Sequence, residues 1–172
     1  LSSNCSIFEN HITNNSEGIM LGFSYDNKIF KNSIEYCCIG IGLYCTSGNI
    51  IYANNIAYCH YCSGMGYSGS AIHMFWSGPE SIFGNKLANN KYGITLVESS
   101  DSMIFHNNLI DNRVQVYDAA QDYPEYYSFS NNTWDDGYPS GGNYWSDYNG
   151  TDLFSGRYQN VTGSDGIGDT PY

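Results

Sequence analysis

Charged side chains are scarce in this 172-residue chain, and basic side chains are the scarcest of all. Lysine and arginine together number 6, against 17 aspartates and glutamates, which gives a formal net charge of -11 and a pI of about 4.4. A surface this acidic repels phosphate backbones and anionic lipids, so we expect no nucleic-acid partner. Long apolar runs are also lacking, and no stretch approaches the roughly 18 residues that cross a bilayer. The sequence therefore predicts no membrane span, and Leu1 does not open a signal peptide.

Two other features predict an extracellular or cell-surface location, where disulfides persist and N-glycans are added. The chain has six cysteines, many for an intracellular protein of this size: Cys5, Cys37, Cys38, Cys45, Cys59 and Cys62. It also has five Asn-x-Ser/Thr sequons, the expected glycosylation sites, at Asn4, Asn14, Asn131, Asn149 and Asn160.

An internal repeat dominates the sequence. Five segments share the template Ile-aromatic-x-Asn-x-Ile/Leu, and they begin at Ile7, Ile29, Ile51, Ile82 and Ile104. Their asparagines are 22, 22, 31 and 22 residues apart, and a second motif, Gly/Ala-Ile-x-Leu/Met, follows with steps of 22, 31 and 22. Each unit is too short for two helices and alternates apolar with other residues, which is typical of short strands joined by bends.

A period of 22 residues predicts one coil of a single-stranded, right-handed parallel β-helix with about three strands. The expected fold class is therefore all-β, a solenoid of about five to six coils. We place the coils in residues 1–133, with an insertion in the third coil near residues 58–70, and an irregular aromatic and acidic cap in residues 134–172. A leucine-rich repeat has an overlapping period, but its Leu-x-x-Leu-x-Leu pattern is missing.

Stacking turns each repeated position into a column along the axis, with a step of about 4.8 Å. The alternating apolar residues should fill the interior, beginning with Ile7, Ile12, Ile19 and Leu21. The repeated asparagines should bond one another at a bend, and these asparagines and the glycines before the second strand are expected to supply left-handed conformations. Periodicity alone leaves open whether one aromatic column lies inside or outside: Phe8, Phe30, Tyr52, Phe83 and Phe105.

The repeats, together with tail segments 132–148 and 163–172, resemble those of right-handed β-helix proteins of the NosD-like type, found among archaeal cell-surface proteins. This resemblance implies the fold and a cell-surface setting. NosD-like proteins are linked by name to copper and to nitrous oxide reductase maturation, although a fold is not a function. Relatives usually continue past the final Thr-Pro-Tyr, so we expect this chain to be truncated or processed there.

Four of the cysteines are expected to lie close together. Cys37 and Cys59 are 22 residues apart and should stack in neighbouring coils, within the Cα distance of a disulfide. Cys38 should stack on His60, with Cys62 two residues further on. We expect the disulfides Cys37–Cys59 and Cys38–Cys62, and the alternative is a soft-metal site for zinc or Cu(I) built from these four cysteines and His60.

The remaining cysteines, Cys5 and Cys45, lie two coils apart and cannot pair with each other. They are either free thiols or bonded to another chain. Leu1 falls inside the first coil with no cap before it, which would leave strand edges open to a second copy. Low charge and 17 tyrosines offer lateral contacts, so the sequence predicts a homo-oligomer or polymer.

The tail is rich in aspartate and glycine. The run Asp165-Gly-Ile-Gly-Asp169 resembles half of a calcium loop, in which glycine lets carboxylates wrap a hard cation. Calcium at Asp165 and Asp169 is the one cofactor predicted, and ordinary turn formation is the simpler alternative. Four aromatic residues are expected to cover the open end of the last coil: Trp134, Tyr144, Trp145 and Tyr148.

These features favour a non-enzymatic structural protein of a cell envelope, sheath or filament. The first alternative is a carbohydrate-binding or carbohydrate-active β-helix, since aromatic rings stack on sugars. Two observations weigh against an enzyme. Enzymes that act on polyuronates need cationic side chains to bind the substrate carboxylates, and this chain has only two arginines. Glycoside hydrolysis needs a pair of carboxylates, for which Asp111 with Asp118 is the nearest candidate. We therefore assign no catalytic residue. The second alternative is a NosD-like protein that handles copper or zinc.

Overall fold

The parallel β-helix predicted from the repeat is confirmed. The structure, a computed structural model, describes residues 3–63 and 66–172, and the chain winds through about five turns of three short strands each. The expectation for Leu1, and residues 64 and 65 of the expected insertion, lie outside the described residues. Each strand pairs in parallel with its equivalent in the next turn, so the sequence period is the step from turn to turn.

Three parallel sheets run along the solenoid. The first consists of β1 (Ser6–Phe8), β4 (Lys28–Phe30), β7 (Ile50–Tyr52), β10 (Ser81–Phe83) and β13 (Met103–Phe105). The second consists of β2 (His11–Thr13), β5 (Ser33–Glu35), β8 (Asn55–Ala57), β11 (Lys86–Ala88), β14 (Asn108–Ile110) and β16 (Tyr144–Trp145). The third consists of β3 (Glu17–Gly22), β6 (Ile39–Tyr44), β9 (Ser70–Phe75), β12 (Tyr92–Val97) and β15 (Val114–Asp118). A 3₁₀ helix (Ala119–Gln121) follows, and β17 (Phe154–Ser155) pairs antiparallel with β18 (Val161–Thr162) in the tail.

The interior is a stack of aliphatic side chains, one layer for each turn. Equivalent residues of all three sheets are 0% exposed in the middle turns, among them Ile29, Ile51, Ile82, Ile34, Ile56, Leu87, Ile41, Ile72 and Ile94. Because strand residues point alternately to opposite faces, the neighbours of each buried residue face outward. The alternation in the sequence therefore identifies the core.

The aromatic column lies on the outside of the first sheet. Its five rings stack with centroids 4.9 to 5.4 Å apart and planes within 6° to 13° of parallel: Phe8, Phe30, Tyr52, Phe83 and Phe105. Phe8 is 48% exposed, and the other four rings are half-buried. In-register pairing places each ring above its equivalent, so equal rotamers form a continuous aromatic ladder.

Asparagine side chains close the bend between the first and second sheets. Nδ2 of Asn85 donates to Oδ1 of Asn107 at 2.9 Å, and Oδ1 of Asn85 accepts from Nδ2 of Asn54 at 2.9 Å and from its backbone N–H at 3.0 Å. The same bonds continue through the whole column: Asn10, Asn32, Asn54, Asn85, Asn107 and Asn143. The expected ladder is confirmed, and it satisfies backbone groups that leave the sheets at this bend.

The left-handed residues of this bend are not the expected ones. The ladder asparagines have no positive φ, and the residue before each of the first five asparagines has a φ between 53° and 62°: Glu9, Lys31, Ala53, Gly84 and His106. Gly40 and Gly93 also lack positive φ, and they are needed for space. A β-carbon at either position would clash with a carbonyl of the next turn. The prediction located the bends correctly but was wrong about which residue adopts the unusual conformation.

The tail first extends the solenoid and then covers its end. Thr133 bridges to β13, and Trp145 in β16 pairs with Leu109. Trp134 and Trp145 pack against the buried core, and Tyr172 stacks on Trp145 with centroids 4.3 Å apart. Of the other two aromatics expected in the cap, Tyr144 is 57% exposed, and Tyr148 donates to the carbonyl of Thr170. The cap surface is therefore formed chiefly by the two tryptophans.

We predict that Asn85→Ala lowers the free energy of unfolding by about 3 kcal/mol, because it leaves several buried polar groups of neighbouring turns without partners. Urea unfolding followed by circular dichroism measures the change. The control is Asn108→Ala, at an exposed position one residue after the ladder, and it should change stability by less than about 0.5 kcal/mol. Equal losses in the two variants would contradict a structural role for the ladder.

Candidate metal and thiol site

Two cysteines replace asparagines in a second column, at the bend between the second and third sheets, which is buried from Cys37 onwards. The column contains Asn15, Cys37, Cys59, Asn90 and Asn112 on successive turns. The backbone N–H of Cys59 donates to Oδ1 of Asn90 at 2.9 Å, as an asparagine in this position would. Cys37 is 0% exposed and Cys59 is 2% exposed. Their thiols therefore belong to the wall of the core.

The expected Cys37–Cys59 disulfide is absent, since both residues are free thiols in the structure. In-register stacking separates equivalent β-carbons by about the strand spacing of 4.8 Å, whereas a disulfide requires about 3.8 Å. The strand spacing satisfies the Cα requirement, but parallel side chains do not converge. Burial, with a smaller contribution from adjacent Cys37, raises the pKa of Cys59 to about 12, and burial also raises the pKa of Cys37. Both thiols thus remain protonated near neutral pH.

A disulfide does join Cys38 to Cys62, the other pairing expected from the sequence. Their Cα atoms are 5.7 Å apart, and the bond spans 24 residues. The regular register places His60, rather than Cys62, above Cys38, as the backbone bond from His60 to the carbonyl of Cys37 shows. The longer connection between β8 and β9 carries Cys62 back to Cys38. The insertion therefore builds this site.

His60 completes a three-residue cluster with this pair. The sulfur atoms of Cys38 and Cys62 and a ring nitrogen of His60 all lie within 4.8 Å of one another. Cys38 is buried, Cys62 is half-buried and His60 is exposed, so the cluster opens to solvent on one side. Of the five residues in the soft-metal alternative, the structure brings these three together, and Cys37 and Cys59 face the core. Two sulfurs and an imidazole suit Cu(I) or zinc once the disulfide is reduced.

Two of the six basic residues of the chain continue the column of His60, Lys91 one turn along and Arg113 two turns along. Backbone hydrogen bonds between successive turns place His60, Lys91 and Arg113 in one column. The Lys91 ammonium lies 5.2 Å from the ring centre of Tyr61 and 4.6 Å from that of Tyr92. In a chain with a net charge of -11, this corner is a local concentration of positive charge.

Cys5 and Cys45 are free thiols at two other bends. The backbone N–H of Cys5 donates to Oδ1 of Asn27 at 3.0 Å, and that of Cys45 donates to the carbonyl of Phe75 at 2.9 Å. Cys5 is exposed and Cys45 is partly buried. Bonding of either residue to another chain stays a prediction.

The tail aspartates accept hydrogen bonds from their own loops. Asp169 accepts from the backbone N–H groups of Leu153 at 2.8 Å and Phe154 at 3.0 Å. Asp165 accepts from the N–H groups of Gly156 at 3.1 Å and Ile167 at 3.0 Å. The two carboxylates thus hold different backbone segments of the tail. Calcium binding at Asp165 and Asp169 stays a prediction.

Two further groups of predicted residues have clear positions. All five sequon asparagines are exposed, so each is accessible to a glycosyl donor, and their glycosylation stays a prediction: Asn4, Asn14, Asn131, Asn149 and Asn160. Asp118, of the nearest carboxylate pair, is buried and accepts from the backbone N–H groups of Ala120 and Ser130. Its carboxylate therefore caps the 3₁₀ helix.

A histidine that the sequence did not single out is buried on the outer face of the third sheet. His73 is 3% exposed and lies between the rings of Tyr44 and Tyr67, with centroids at 5.5 and 5.7 Å. Its Nδ1 has no hydrogen-bond partner among the described residues. Desolvation lowers the pKa of His73 to about 4. Tyr67 comes from the insertion, so the nine extra residues were the signal that an outward-facing position could be covered.

We predict that His73 makes the fold sensitive to mild acid. Its pKa is 6.5 in the unfolded chain and about 4 when folded, so the unfolded state takes up a proton first as the pH falls. The contribution of neutral His73 to the free energy of unfolding is complete above pH 6.5 and falls by roughly 3 kcal/mol as the pH is lowered towards 4. Relative to His73→Phe, which cannot titrate, the parent chain should lose that amount between pH 7 and 4 in urea unfolding. His11→Phe, at an exposed position, is the control, and parallel pH profiles for parent and His73→Phe would contradict the prediction.

The geometry defines a parallel β-solenoid with a disulfide and a sulfur and imidazole cluster at one bend. Over residues 1–59 and 55–150 the sequence matches the family described as periplasmic copper-binding protein (NosD). The chain belongs to the NosD family. The comparisons with curated proteins and with solved structures found no significant match. Among the described residues, no helix is long and apolar enough to cross a membrane.

Proposed function

We propose that this chain is an exported copper-binding protein whose ligands are Cys38, His60 and Cys62. The observation that carries the proposal is the convergence of their two sulfurs and one ring nitrogen within 4.8 Å. The description of the NosD family as periplasmic and copper-binding supports both the metal and the compartment. The disulfide between two of the ligands fits an oxidising environment.

The donor set favours Cu(I) over zinc. Thiolates are soft ligands that suit Cu(I), whereas structural zinc sites use four protein ligands and this cluster has three. Cys37 and Cys59 do not supply a fourth ligand, because their side chains are buried in the asparagine column. Once reduced, Cys38 and Cys62 would hold the ion through sulfur, and the exposed His60 would hold it through a ring nitrogen.

Copper titration of the reduced protein tests this proposal. We expect the reduced chain to bind one Cu(I) in competition with a chromogenic Cu(I) chelator, and we expect Cys38→Ser with Cys62→Ser to abolish that binding. Cys5→Ser with Cys45→Ser removes two thiols outside the cluster and should leave the stoichiometry unchanged. Equal copper content in the parent and the Cys38/Cys62 variant would refute the assignment of these ligands. Tighter binding of zinc in a parallel titration would show that the site is a zinc site instead of a Cu(I) site.

A second function, assembly of an extracellular structure, is favoured by the aromatic ladder. Its five stacked rings lie on the outer face of the first sheet. Neighbouring rings cover both faces of the three inner rings, so a sugar has no free face to stack on there, whereas a flat surface of a second copy fits their exposed edges. The free thiols of Cys5 and Cys45 are available for covalent bonds between copies. On this proposal the chain is a building block of an envelope, sheath or filament.

Assembly predicts that oligomers depend on the ladder. Phe30→Ser with Phe83→Ser should shift the sedimentation profile towards monomer, while Ser6→Ala on the same sheet, outside the aromatic column, should leave it unchanged. Non-reducing gels should show dimers that disappear in Cys5→Ser with Cys45→Ser. A parent chain that sediments as a monomer at every concentration would rule this function out.

A further inference from the structure

The two sulfurs of the proposed copper site are also the two sulfurs of the disulfide. Cys38 and Cys62 are bonded to each other in the structure, and both sulfurs lie within 4.8 Å of the His60 ring nitrogen. We propose that the Cys38–Cys62 disulfide is the closed state of the metal site, and that reduction opens it to Cu(I). This inference rests on the proposed function, because it names the control of that same site.

The backbones of both cysteines are held in place by hydrogen bonds that do not involve the disulfide. The carbonyl of Cys38 accepts from the backbone N–H of Gly69 at 2.5 Å, which ties it to the end of the insertion. The backbone N–H of Cys62 donates to Oγ of Ser68 at 3.0 Å, and that hydroxyl donates back to the carbonyl of Cys62 at 3.2 Å. Ser68 is 1% exposed. Reduction therefore leaves the two backbone positions anchored beside each other, and a site with an organised backbone loses less entropy on binding.

The proposed exchange balances in atoms and electrons. A dithiol of an external reductant gives two electrons and two protons to the disulfide, which becomes two thiols while the reductant becomes a disulfide. Cys38 and Cys62 then each release one proton as they bind Cu(I). When a competing ligand removes the ion, both sulfurs regain their protons, and an oxidised dithiol takes two electrons and two protons as the bond reforms. Copper keeps its oxidation state throughout.

Lys91 and Arg113, in the column of His60, stabilise the reduced, metal-bound state of the site more than the disulfide state. Two deprotonated sulfurs around one Cu(I) carry a net negative charge, whereas a disulfide carries none. Lys91 stands directly above His60 in the column, with Arg113 one turn further, and Tyr61 next to His60 in sequence packs against the Lys91 ammonium. Lys91 is thus a positioning residue that favours the charged, open site by Coulomb attraction.

The test compares the oxidised and the reduced full chain in a Cys5→Ser/Cys45→Ser background. These substitutions remove the two free thiols other than the buried Cys37 and Cys59. The probe is Cu(I) presented as its complex with bathocuproine disulfonate, added to the oxidised chain and to chain reduced with a dithiol and then desalted without air. The reduced form should bind Cu(I) at least about tenfold more tightly than the oxidised form. Lys91→Gln should weaken binding to the reduced form about two- to fivefold and leave the oxidised form unchanged.

Peptide mapping after alkylation supplies a readout that does not depend on copper affinity. In the oxidised chain Cys38 and Cys62 should be linked, in the reduced chain both should be alkylated, and bound Cu(I) should protect them. If the linked form binds Cu(I) as tightly as the reduced form, the redox control is wrong and the copper-binding function stands. If neither form binds Cu(I), both proposals fail, and Cys38 and Cys62 recovered as thiols from untreated protein would also refute the closed state.

Discussion

The whole molecule depends on in-register stacking of one turn on the next. A short strand of three residues has little stability alone, and here it gains partners on both sides because its equivalent lies one strand spacing away. The bends are the weak points of such a solenoid, since their backbone groups leave the sheets. Columns of asparagine solve that problem, because each side chain bonds the backbone of the preceding turn and the asparagine side chains of both neighbouring turns. The same stacking explains the external aromatic ladder.

Stacking also explains why neighbouring cysteines have different chemistry. Cys37 and Cys59 occupy a ladder column, so their side chains run parallel and remain apart as buried thiols. Cys38, one residue later, faces outward and could bond only to a residue that departs from the register. The insertion before β9 provides that residue, Cys62, and brings it to Cys38 and to His60, which the regular register already places above Cys38. A departure from the repeat thus completes the cluster of metal-ligating side chains found among the described residues.

Because basic residues are scarce in this chain, the two that lie in the column of His60 distinguish the electrostatic environment of that site from the rest of the surface. With 6 basic residues in 172, the surface is acidic or uncharged almost everywhere, and polar character comes from asparagine, serine and tyrosine. Lys91 and Arg113 on neighbouring turns therefore bring two of the six basic residues to one corner. A neutral disulfide and a negatively charged metal-bound form would respond differently to this corner, which connects composition with the proposed control of the site.

The sequence alone determined the solenoid, its 22-residue step, the buried aliphatic layers and the asparagine ladder, because a fixed period forces equivalent residues into the same environment. It also predicted that Cys38 and Cys62 would lie together. Only the tertiary structure decided that Cys37 and Cys59 stay unbonded, since spacing gives the Cα distance but not the direction of the side chains. The burial of His73 and the outward position of the aromatic ladder were likewise decided in three dimensions. Periodicity specifies which residues share a column, whereas the fold of the insertion and the rotation of each strand specify what that column faces.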